Sequence, residues 1–448
     1  MDIVKLSATD LVEKLAQRTL TATEVLTAYR QSVAVQEPQI NAFVTLDWAA
    51  AETRAAELDQ MSAPCGPLHG VPIAIKDIFE TKGLRTTWGS RSYETHVPDY
   101  DALHVARLRA AGAVIIGKTN TPEFAYAGQT TNLVNGTTRN PHDPSKTVAG
   151  SSGGAAAAVA THMAALADGS DLGGSLRSPA AWCGVVGFRP SSGLVPYEPN
   201  PVPFDGLSIP GPMARNLPDL VLMLSVMQGN SASQPLGFWD SSPGLATLDE
   251  PLSPGRVAID LNPFGITIDP SIVQALSPVA SLCENMGWQV ANAAPPLEPL
   301  APYVPLVRTY SALGVQAALK PDMSLATPDF IDACKDGPEY TLTDLVEYQT
   351  QRAAVWADVA AFFETYDFAI WPTTSGLAFS ADATDAEITE DWRTVTLTPI
   401  MELPSLSIPF GTSSDGLPVG LHITGAKGSD ARLLRFARMI EKAVAPQG

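Results

Sequence analysis

Val71-Pro-Ile-Ala-Ile-Lys76-Asp77 is an apolar run that follows a glycine-containing turn and ends in a lysine and an aspartate. Its length and its β-branched residues predict a buried strand. Residues 101–111 have a helical pattern that ends at Gly112, and Ala113-Val-Ile-Ile116 is again short and apolar. A strand, a helix and a second strand of these lengths form a βαβ unit. The stretch therefore predicts an α/β fold with at least partly parallel pairing.

Similar patterns continue on both sides of this unit. Thr21-Ala-Thr-Glu24 is a capping box that begins a helix, and residues 121–148 predict a long loop of the kind that often carries function. The remaining predicted helices cover 47–61, 155–167, 217–227, 344–363 and 430–444, and the remaining predicted strands cover 256–260, 367–371, 404–410 and 419–424.

The composition is that of a globular chain with a large core, since 45% of its 448 residues are hydrophobic and 17% are charged. Its 47 acidic residues outnumber 28 basic ones, which gives a formal net charge of −19, and Lys and Arg form no cluster along the sequence. A nucleic-acid partner requires a basic surface that displaces counterions. No nucleic-acid partner is therefore expected.

The cysteines Cys65, Cys183, Cys283 and Cys334 and the six histidines have no metal-ligand spacing, so no metal site is expected. We expect the cysteines to be free thiols in a reducing compartment. No run reaches the ~18 uninterrupted apolar residues of a membrane span, and the N-terminus lacks the pattern of a signal peptide. These features predict a cytoplasmic protein with no membrane partner.

Two small-residue turns downstream of Lys76 carry serines. They are Gly150-Ser151-Ser152-Gly153-Gly154 and Asp171-Leu172-Gly173-Gly174-Ser175-Leu176-Arg177. Serine is a weak nucleophile at neutral pH and needs a base within hydrogen-bond reach. Burial at the end of an apolar strand can lower the pKa of a lysine enough to supply that base, although Asp77 could reverse the shift. A lysine and two serines on such turns can form a proton relay without histidine.

These three elements, in this order and at these spacings, resemble the amidase signature family of serine hydrolases. The likeness continues through residues 179–190 and returns at 403–409 and 415–420, and it is weak between about 230 and 340. The resemblance implies one α/β domain over 1–448, with a central mixed, largely parallel sheet covered by helices on both faces. Its expected parts are N-terminal helices over 1–62, the signature core over 66–225, a variable insertion over 230–340 and a C-terminal part over 341–448 that completes the sheet.

The resemblance also implies a Ser-cisSer-Lys triad, with Ser175 as nucleophile, Ser151 as bridge and Lys76 as terminal base. Glycines let backbone N–H groups approach a substrate carbonyl closely and form an oxyanion hole. The groups expected to form it are the N–H groups of Leu172, Gly173, Gly174 and Ser175.

By the same resemblance, Ser152, Asp171 and Arg177 are expected to support the two turns, while a surface ion pair remains the alternative for Asp171 and Arg177. Leu172 and Ala149 depart from the threonine and glycine that are more usual in the family, which could alter the rigidity of the turns and the pocket wall.

Gly150-Ser-Ser152-Gly-Gly154 also fits the nucleophile elbow of α/β-hydrolases, with Ser152 as nucleophile. That elbow requires a strand directly before it, and residues 141–147 are not apolar. It also requires a downstream histidine, and His162 and His422 lie within predicted regular elements. We therefore favour Ser175.

The substrate pocket is the least constrained part of the prediction. The aromatic candidates for its wall are Phe124, Tyr126, Phe204 and Trp371. Apolar walls with few charges would favour aryl or alkyl amides. The family also contains an amidotransferase component that acts on misacylated tRNA, and both the net charge of −19 and the sequence of residues 204–210 argue against that role.

The sequence thus predicts an amidase that hydrolyses the C–N bond of a small linear carboxylic amide through an acyl-Ser175 intermediate, with no metal or organic cofactor. A homodimer is possible. An esterase or carbamate hydrolase is the alternative within the enzymes, because the same acyl transfer cleaves those bonds. A non-catalytic binding protein that retains the scaffold is the alternative of another class.

Overall fold

A computed structural model describes residues 2–200, 202–204, 206–237, 244–384 and 387–444. Eleven strands form one sheet in the order β1-β3-β2-β4-β6-β5-β10-β11-β9-β7-β8. The strands are β1 (Phe43–Leu46), β2 (Pro72–Lys76), β3 (Val114–Thr119), β4 (Leu166–Asp171), β5 (Val186–Arg189), β6 (Ile209–Ala214), β7 (Arg256–Ile259), β8 (Gln289–Ala291), β9 (Phe368–Pro372), β10 (Ser405–Thr412) and β11 (Pro418–Gly425).

The helices lie between and around these strands. They are α1 (Ala8–Ala16), α2 (Ala22–Ile40), α3 (Trp48–Gln60), α4 (Leu103–Ala110), α5 (Gly153–Ala160), α6 (Arg177–Cys183), α7 (Leu217–Met227), α8 (Leu245–Leu248), α9 (Pro270–Leu276), α10 (Val279–Asn285), α11 (Val304–Leu319), α12 (Pro328–Lys335), α13 (Leu342–Thr365), α14 (Arg393–Ile400) and α15 (Asp430–Val444). Short 3₁₀ helices cover Ile3–Lys5, Arg91–Tyr93, Glu123–Ala125, Pro263–Gly265, Glu298–Tyr303 and Gly337–Glu339.

The sheet is mixed, as predicted, but the expectation that it is largely parallel is wrong. Parallel pairing joins β2 to β3 and β4, and β7 to β8 and β9. The other six pairs are antiparallel. One physical reason lies in the connections: β10 and β11 are joined by a turn around Asp415-Gly416, and a turn that short can only reverse the chain.

The predicted α/β fold, with helices on both faces of the sheet, agrees with the burial of the central strands. Every residue of β2, β4, β6 and β9 is buried. Because successive side chains of a strand point to opposite faces, both faces of the central sheet are covered. Helices α5 and α7 both pack against β4 and β6.

The helix predicted over 155–167 is wrong in its second half. Helix α5 ends at Ala160, and His162 adopts a positive φ of 58°. The chain then enters β4, where the N–H of Ala165 donates to Pro72 O and Leu166 pairs with Ile73. Alanine favours a helix, but pairing with β2 supplies hydrogen bonds that a longer helix would forgo.

The segment over 230–340 is part of the same sheet, because β7 and β8 are its two last strands on one side. Its helix α11 contributes Val304, Val307, Arg308 and Ser311 to the wall of a large cavity. The division of the chain into four parts, with this segment as a variable insertion, stays a prediction.

Gly154 allows α5 to begin close to the end of β3. A Cβ at Gly154 would lie 2.4 Å from Asn120 N and 2.6 Å from Ala42 O. Both atoms belong to the backbone and cannot rotate away, so we expect Gly154→Ala to reduce the free energy of unfolding by about 1–3 kcal/mol. Urea unfolding followed by circular dichroism measures the change.

The matched control is Gly244→Ala, because a Cβ at Gly244 meets no atom of the described residues within 4 Å and its φ is −137°. We expect Gly244→Ala to be neutral or slightly stabilising. If both variants unfold at the same urea concentration, the close approach at Gly154 does not limit the position of α5.

Candidate active site

Lys76 lies at the end of β2 with its side chain fully buried. Its Nζ donates hydrogen bonds to the Oγ atoms of Ser151 at 2.7 Å, Ser152 at 2.9 Å and Ser170 at 2.9 Å. Because β2 and β4 run parallel, their carboxyl ends meet at one edge of the sheet, where the N-terminus of α5 also begins. The structure therefore brings together the lysine and first serine turn that the sequence predicted.

Burial lowers the pKa of Lys76 to about 7, while the charges of Asp168 and Asp171 act in the opposite direction. Asp77, which could have reversed this shift, instead accepts the backbone N–H of Thr87 and a short hydrogen bond from its hydroxyl. A neutral amine at Lys76 is thus accessible near neutral pH, as a base requires.

The Gly150–Ser151 peptide bond is cis, as the resemblance implied. Ser151 has no solvent-exposed area, yet it borders the large cavity. Its hydroxyl therefore lies between the buried Lys76 amine and the cavity.

The hydroxyl of Ser152 forms all of its hydrogen bonds with buried groups of the protein. It donates to Ser170 O at 3.2 Å and accepts from the Lys76 amine and from the N–H of Ser170. Ser152 is fully buried and does not border the cavity, whereas Ser175 is half-buried and does. This geometry disfavours Ser152 as the nucleophile of an elbow and agrees with its predicted supporting position.

Asp171 and Arg177 form a fully buried, two-pronged ion pair, with Arg177 Nε and Nη2 at 3.0 and 2.9 Å from the two carboxylate oxygens. Arg177 also donates to Val395 O and Thr398 Oγ1 at 2.8 Å. Burial alone would raise the pKa of Asp171, but the Arg177 guanidinium holds it at about 2. The surface ion pair weighed for these residues is therefore wrong.

The predicted oxyanion donors divide into two groups. The N–H of Gly174 donates to Asp171 Oδ1 at 2.9 Å, and Gly174, with a φ of 107°, does not border the cavity. Its inclusion among the oxyanion donors is wrong, because its N–H already donates a hydrogen bond to the Asp171 carboxylate. Leu172, Gly173 and Ser175 border the cavity, and their N–H groups have no acceptor within the part of the chain that the structure describes.

The cavity has a volume of about 790 Å³. Phe124 and Tyr126 are in its wall, as predicted, together with Trp88 and Trp392. Two predicted wall residues lie elsewhere, and these predictions are wrong. Phe204 is 78% exposed away from the cavity.

Trp371 is fully buried in β9. Its ring stacks on His422 at 4.3 Å, and its Nε1 donates to Thr394 O. A side chain in the middle of a sheet that is covered on both faces packs in the core, so its aromatic character did not indicate a ligand wall.

Charged residues also border the cavity, so its wall is not wholly apolar. The acidic and basic residues in its lining are Glu80, Arg308, Asp329, Asp332 and Glu390. Glu390 accepts the N–H groups of Ser375 and Gly376 at 2.7 and 2.8 Å, and burial raises its pKa to about 7.

Two functional candidates were missed by the sequence analysis, Ser170 and Asp168, both on β4. A signal was present in Asp168-Gly-Ser170-Asp171, a polar run that follows Ala164-Ala-Leu-Ala167 in a chain segment leading to the Ser175 turn. The sequence analysis extends a helix over residues 155–167, and this helix conceals the run as the carboxyl end of a buried strand.

Within the described ranges, no group of three His, Cys, Asp or Glu side chains is placed to hold a metal ion. Over the same residues, no helix combines the length and apolar character needed to cross a bilayer. Cys65 is exposed, the other three cysteines are buried, and all four are free.

Comparison with known proteins agrees with this geometry. The Amidase family model matches residues 24–434. An acylamidase of Rhodococcus erythropolis is 32% identical over 97% of this chain and 95% of its own length. A glutamyl-tRNA(Gln) amidotransferase component of a Picosynechococcus strain is 32% identical over 97% of both chains.

The solved structure of 6-aminohexanoate cyclic dimer hydrolase complexed with substrate superposes with a TM-score of 0.89 and 27% identity, over 99% of this chain and 98% of that one. The predicted α/β fold, the resemblance to the amidase signature family and the predicted enzyme class are thereby confirmed. The chain belongs to the amidase family, the amidase signature enzymes, and hydrolyses the C–N bond of amides.

Proposed function

We propose that this amidase cleaves a linear carboxylic amide through an acyl intermediate on Ser175, with Ser151 as relay and Lys76 as base. The observation that carries the proposal is the 2.7 Å hydrogen bond between Lys76 Nζ and Ser151 Oγ. It joins a fully buried amine to a hydroxyl on the border of the same cavity that Ser175 borders.

The hydrogen bonds of Lys76 define how a proton can move. A neutral amine has two N–H donors and one lone pair. The hydroxyl of Ser152 already donates to Ser170 O, so it accepts one N–H of the amine, and Ser170 Oγ accepts the other. In this neutral form the lone pair then faces Ser151, and the Ser151 O–H would donate to it across the same 2.7 Å contact in which the ammonium donates to Ser151.

In the acylation step, Ser175 Oγ attacks the amide carbon, and its proton passes to Ser151 as the Ser151 proton passes to Lys76. The resulting ammonium has three hydroxyl acceptors in place. When the C–N bond breaks, the proton returns along the same path to the leaving amine. Water then attacks the acyl-Ser175 ester and releases the acid.

The negative oxygen of the tetrahedral intermediate is held by the N–H groups of Leu172, Gly173 and Ser175, each worth roughly 2.7–4 kcal/mol in the transition state. Gly174 and Asp171 contribute indirectly, because the Gly174 N–H bond to the Asp171 carboxylate fixes the turn that carries those donors.

The volume of the cavity, about 790 Å³, lies within the range of sites that bind drug-sized molecules, and it favours a small amide as substrate. Phe124, Tyr126, Trp88 and Trp392 offer apolar area to an aryl or alkyl group. The net charge of −19 supports a small molecule over a tRNA-linked substrate, despite the likeness to the amidotransferase component. A homodimer and a cytoplasmic location stay predictions.

The substrate class is tested with an anilide, an ester and a carbamate that share one aryl-acyl or alkyl-acyl group. We expect the anilide to be hydrolysed with release of the amine, because the relay returns a proton to a poor leaving group. Product release is measured by liquid chromatography. Turnover of the ester alone would contradict the proposal and leave the esterase alternative.

The relay is tested by four alanine variants. Ser175→Ala should abolish acylation, and Lys76→Ala should reduce kcat/KM for the anilide by about 10²–10⁴-fold. Ser151→Ala should fall between Lys76→Ala and wild type, since water can partly replace its hydroxyl. Ser152→Ala should be milder than either, because its hydroxyl does not border the cavity.

Ser225→Ala is the control, since the Ser225 hydroxyl donates to Leu222 O within α7 and it should leave kcat/KM unchanged. Melting temperatures of all variants separate misfolding from lost chemistry. An inactive Ser152→Ala together with an active Ser175→Ala would refute the assignment of the nucleophile.

A further inference from the structure

Behind Lys76 lies a buried acid–imidazole pair to which the proposed mechanism gives no role. Asp168 on β4 accepts the backbone N–H of Lys76 through Oδ1 at 2.6 Å. Its Oδ2 is 2.9 Å from Nε2 of His104, a residue of α4. Both side chains are completely buried, and the His104 ring packs edge-on against Phe79.

The surroundings of His104 define the protonation of the pair. Its Nδ1 is buried and has no hydrogen-bond partner among the described residues. An imidazolium would bury an N–H at Nδ1 without an acceptor, which costs free energy. The neutral tautomer with its proton on Nε2 avoids that cost and donates to Asp168. Asp168 therefore carries its negative charge, stabilised by two N–H donors.

Two carboxylates, Asp168 and Asp171, place a negative charge that acts on Lys76. They differ in whether an arginine neutralises that charge. Asp171 is neutralised by the two-pronged contact with Arg177. Asp168 contacts neither an arginine nor a lysine at ion-pair distance in the residues described. Its charge therefore acts on the Lys76 amine, and also on the buried Lys118 of β3, without an ion pair of its own among the described residues.

The other neighbours of Lys76 do not replace this charge. Ser151, Ser152 and Ser170 are neutral. On the adjacent strand β3, the amine of Lys118 is held away by Thr81 and Thr86 at 2.9 and 3.0 Å and by a short bond to Phe79 O.

Asp77, next to Lys76 on the chain, accepts a hydrogen bond from Thr87, and Lys118 is the opposing charge with the largest effect on it. Each charged group around the amine other than Asp168 thus has its own partner.

We propose that the His104–Asp168 pair is a positioning device that anchors the end of β2 and supplies the negative charge favouring the ammonium form of Lys76. This inference rests on the proposed function, because it assigns the pair to the base of that relay. It explains how a lysine among neutral hydroxyls can still accept a proton from serine. The pair touches no reacting atom and acts only through Lys76.

The test is the rate of covalent labelling of Ser175 by a fluorophosphonate between pH 5 and pH 9, followed by intact mass. In the wild type the rate should rise with pH as Lys76 loses its proton. In Asp168→Asn, the amide oxygen can still accept the Lys76 N–H, but the charge is lost. Losing a negative charge disfavours the ammonium, so the rising limb should move to lower pH by about one unit.

A role limited to structure would lower the rate at every pH without moving the limb. Asp430→Asn is the matched control, because Asp430 is also buried and accepts a backbone N–H, that of Ser191 at 2.7 Å. Asp430 is not among the charges that act on Lys76. In Asp430→Asn, the rising limb of the labelling rate should therefore stay at the wild-type pH.

Two variants of His104 keep the test valid if Asp168→Asn does not fold. His104→Leu removes the donor to Asp168 and should move the limb in the same direction, whereas His104→Gln retains an N–H donor and should keep the wild-type limb. Unchanged or upward-shifted limbs in Asp168→Asn and His104→Leu would overturn the inference. Absence of labelling in the wild type at every pH would instead overturn the proposed function.

Discussion

The active site depends on one buried amine. Lys76 has no contact with solvent, and its three nearest partners are hydroxyls. Burying an ammonium without a directly paired carboxylate costs several kcal/mol, and this cost is what makes the neutral form accessible at physiological pH. A lysine held by a carboxylate would be a stable cation and a poor base. Because the side chains that contact the Lys76 amine are serine hydroxyls and not carboxylates, Lys76 can act as a base.

The sheet provides the geometry for this arrangement. Parallel pairing of β2 with β4 places Lys76 beside Ser170, and the same strand continues into the Asp171–Ser175 turn. The buried bond between Asp171 and Arg177 then fixes that turn from within, and α14 holds Arg177 through Val395 and Thr398. Lys76, the proposed base, thus ends β2, and Ser175, the proposed nucleophile, lies in the turn that follows the neighbouring strand β4.

Much of this could be predicted from sequence because the signals are local. Glycine-supported serine turns and a lysine at the end of an apolar strand predict a relay of Lys76, Ser151 and Ser175. In the structure Lys76 Nζ lies 2.7 Å from Ser151 Oγ, and Ser151 and Ser175 border the same cavity. Local signals also misled. Because alanine favours helices, the predicted helix continues past the observed end of α5 into residues that pair with β2. This prediction concealed the polar end of β4.

The remaining parts depend on contacts between distant segments. His104 and Asp168 meet only because α4 packs near the end of β4, and no pattern in either segment indicates the other. The direction of the Gly174 N–H depends on the Asp171 carboxylate. The acidic wall residues Asp329 and Glu390 come from separate segments, and no local pattern in either segment marks them as part of the cavity wall.

The central claim is that Lys76 is a neutral base near physiological pH. The direct measurement is the titration of its side chain by NMR, with ¹³C- and ¹⁵N-labelled lysine and a Lys76→Arg variant to assign the signal. The account predicts a midpoint of about 7 for Lys76, below that of the buried Lys118, whose pKa burial lowers to about 8. A midpoint near the ordinary lysine value of about 10.4 would contradict it, because the amine would then be protonated throughout the range in which the relay must accept a proton.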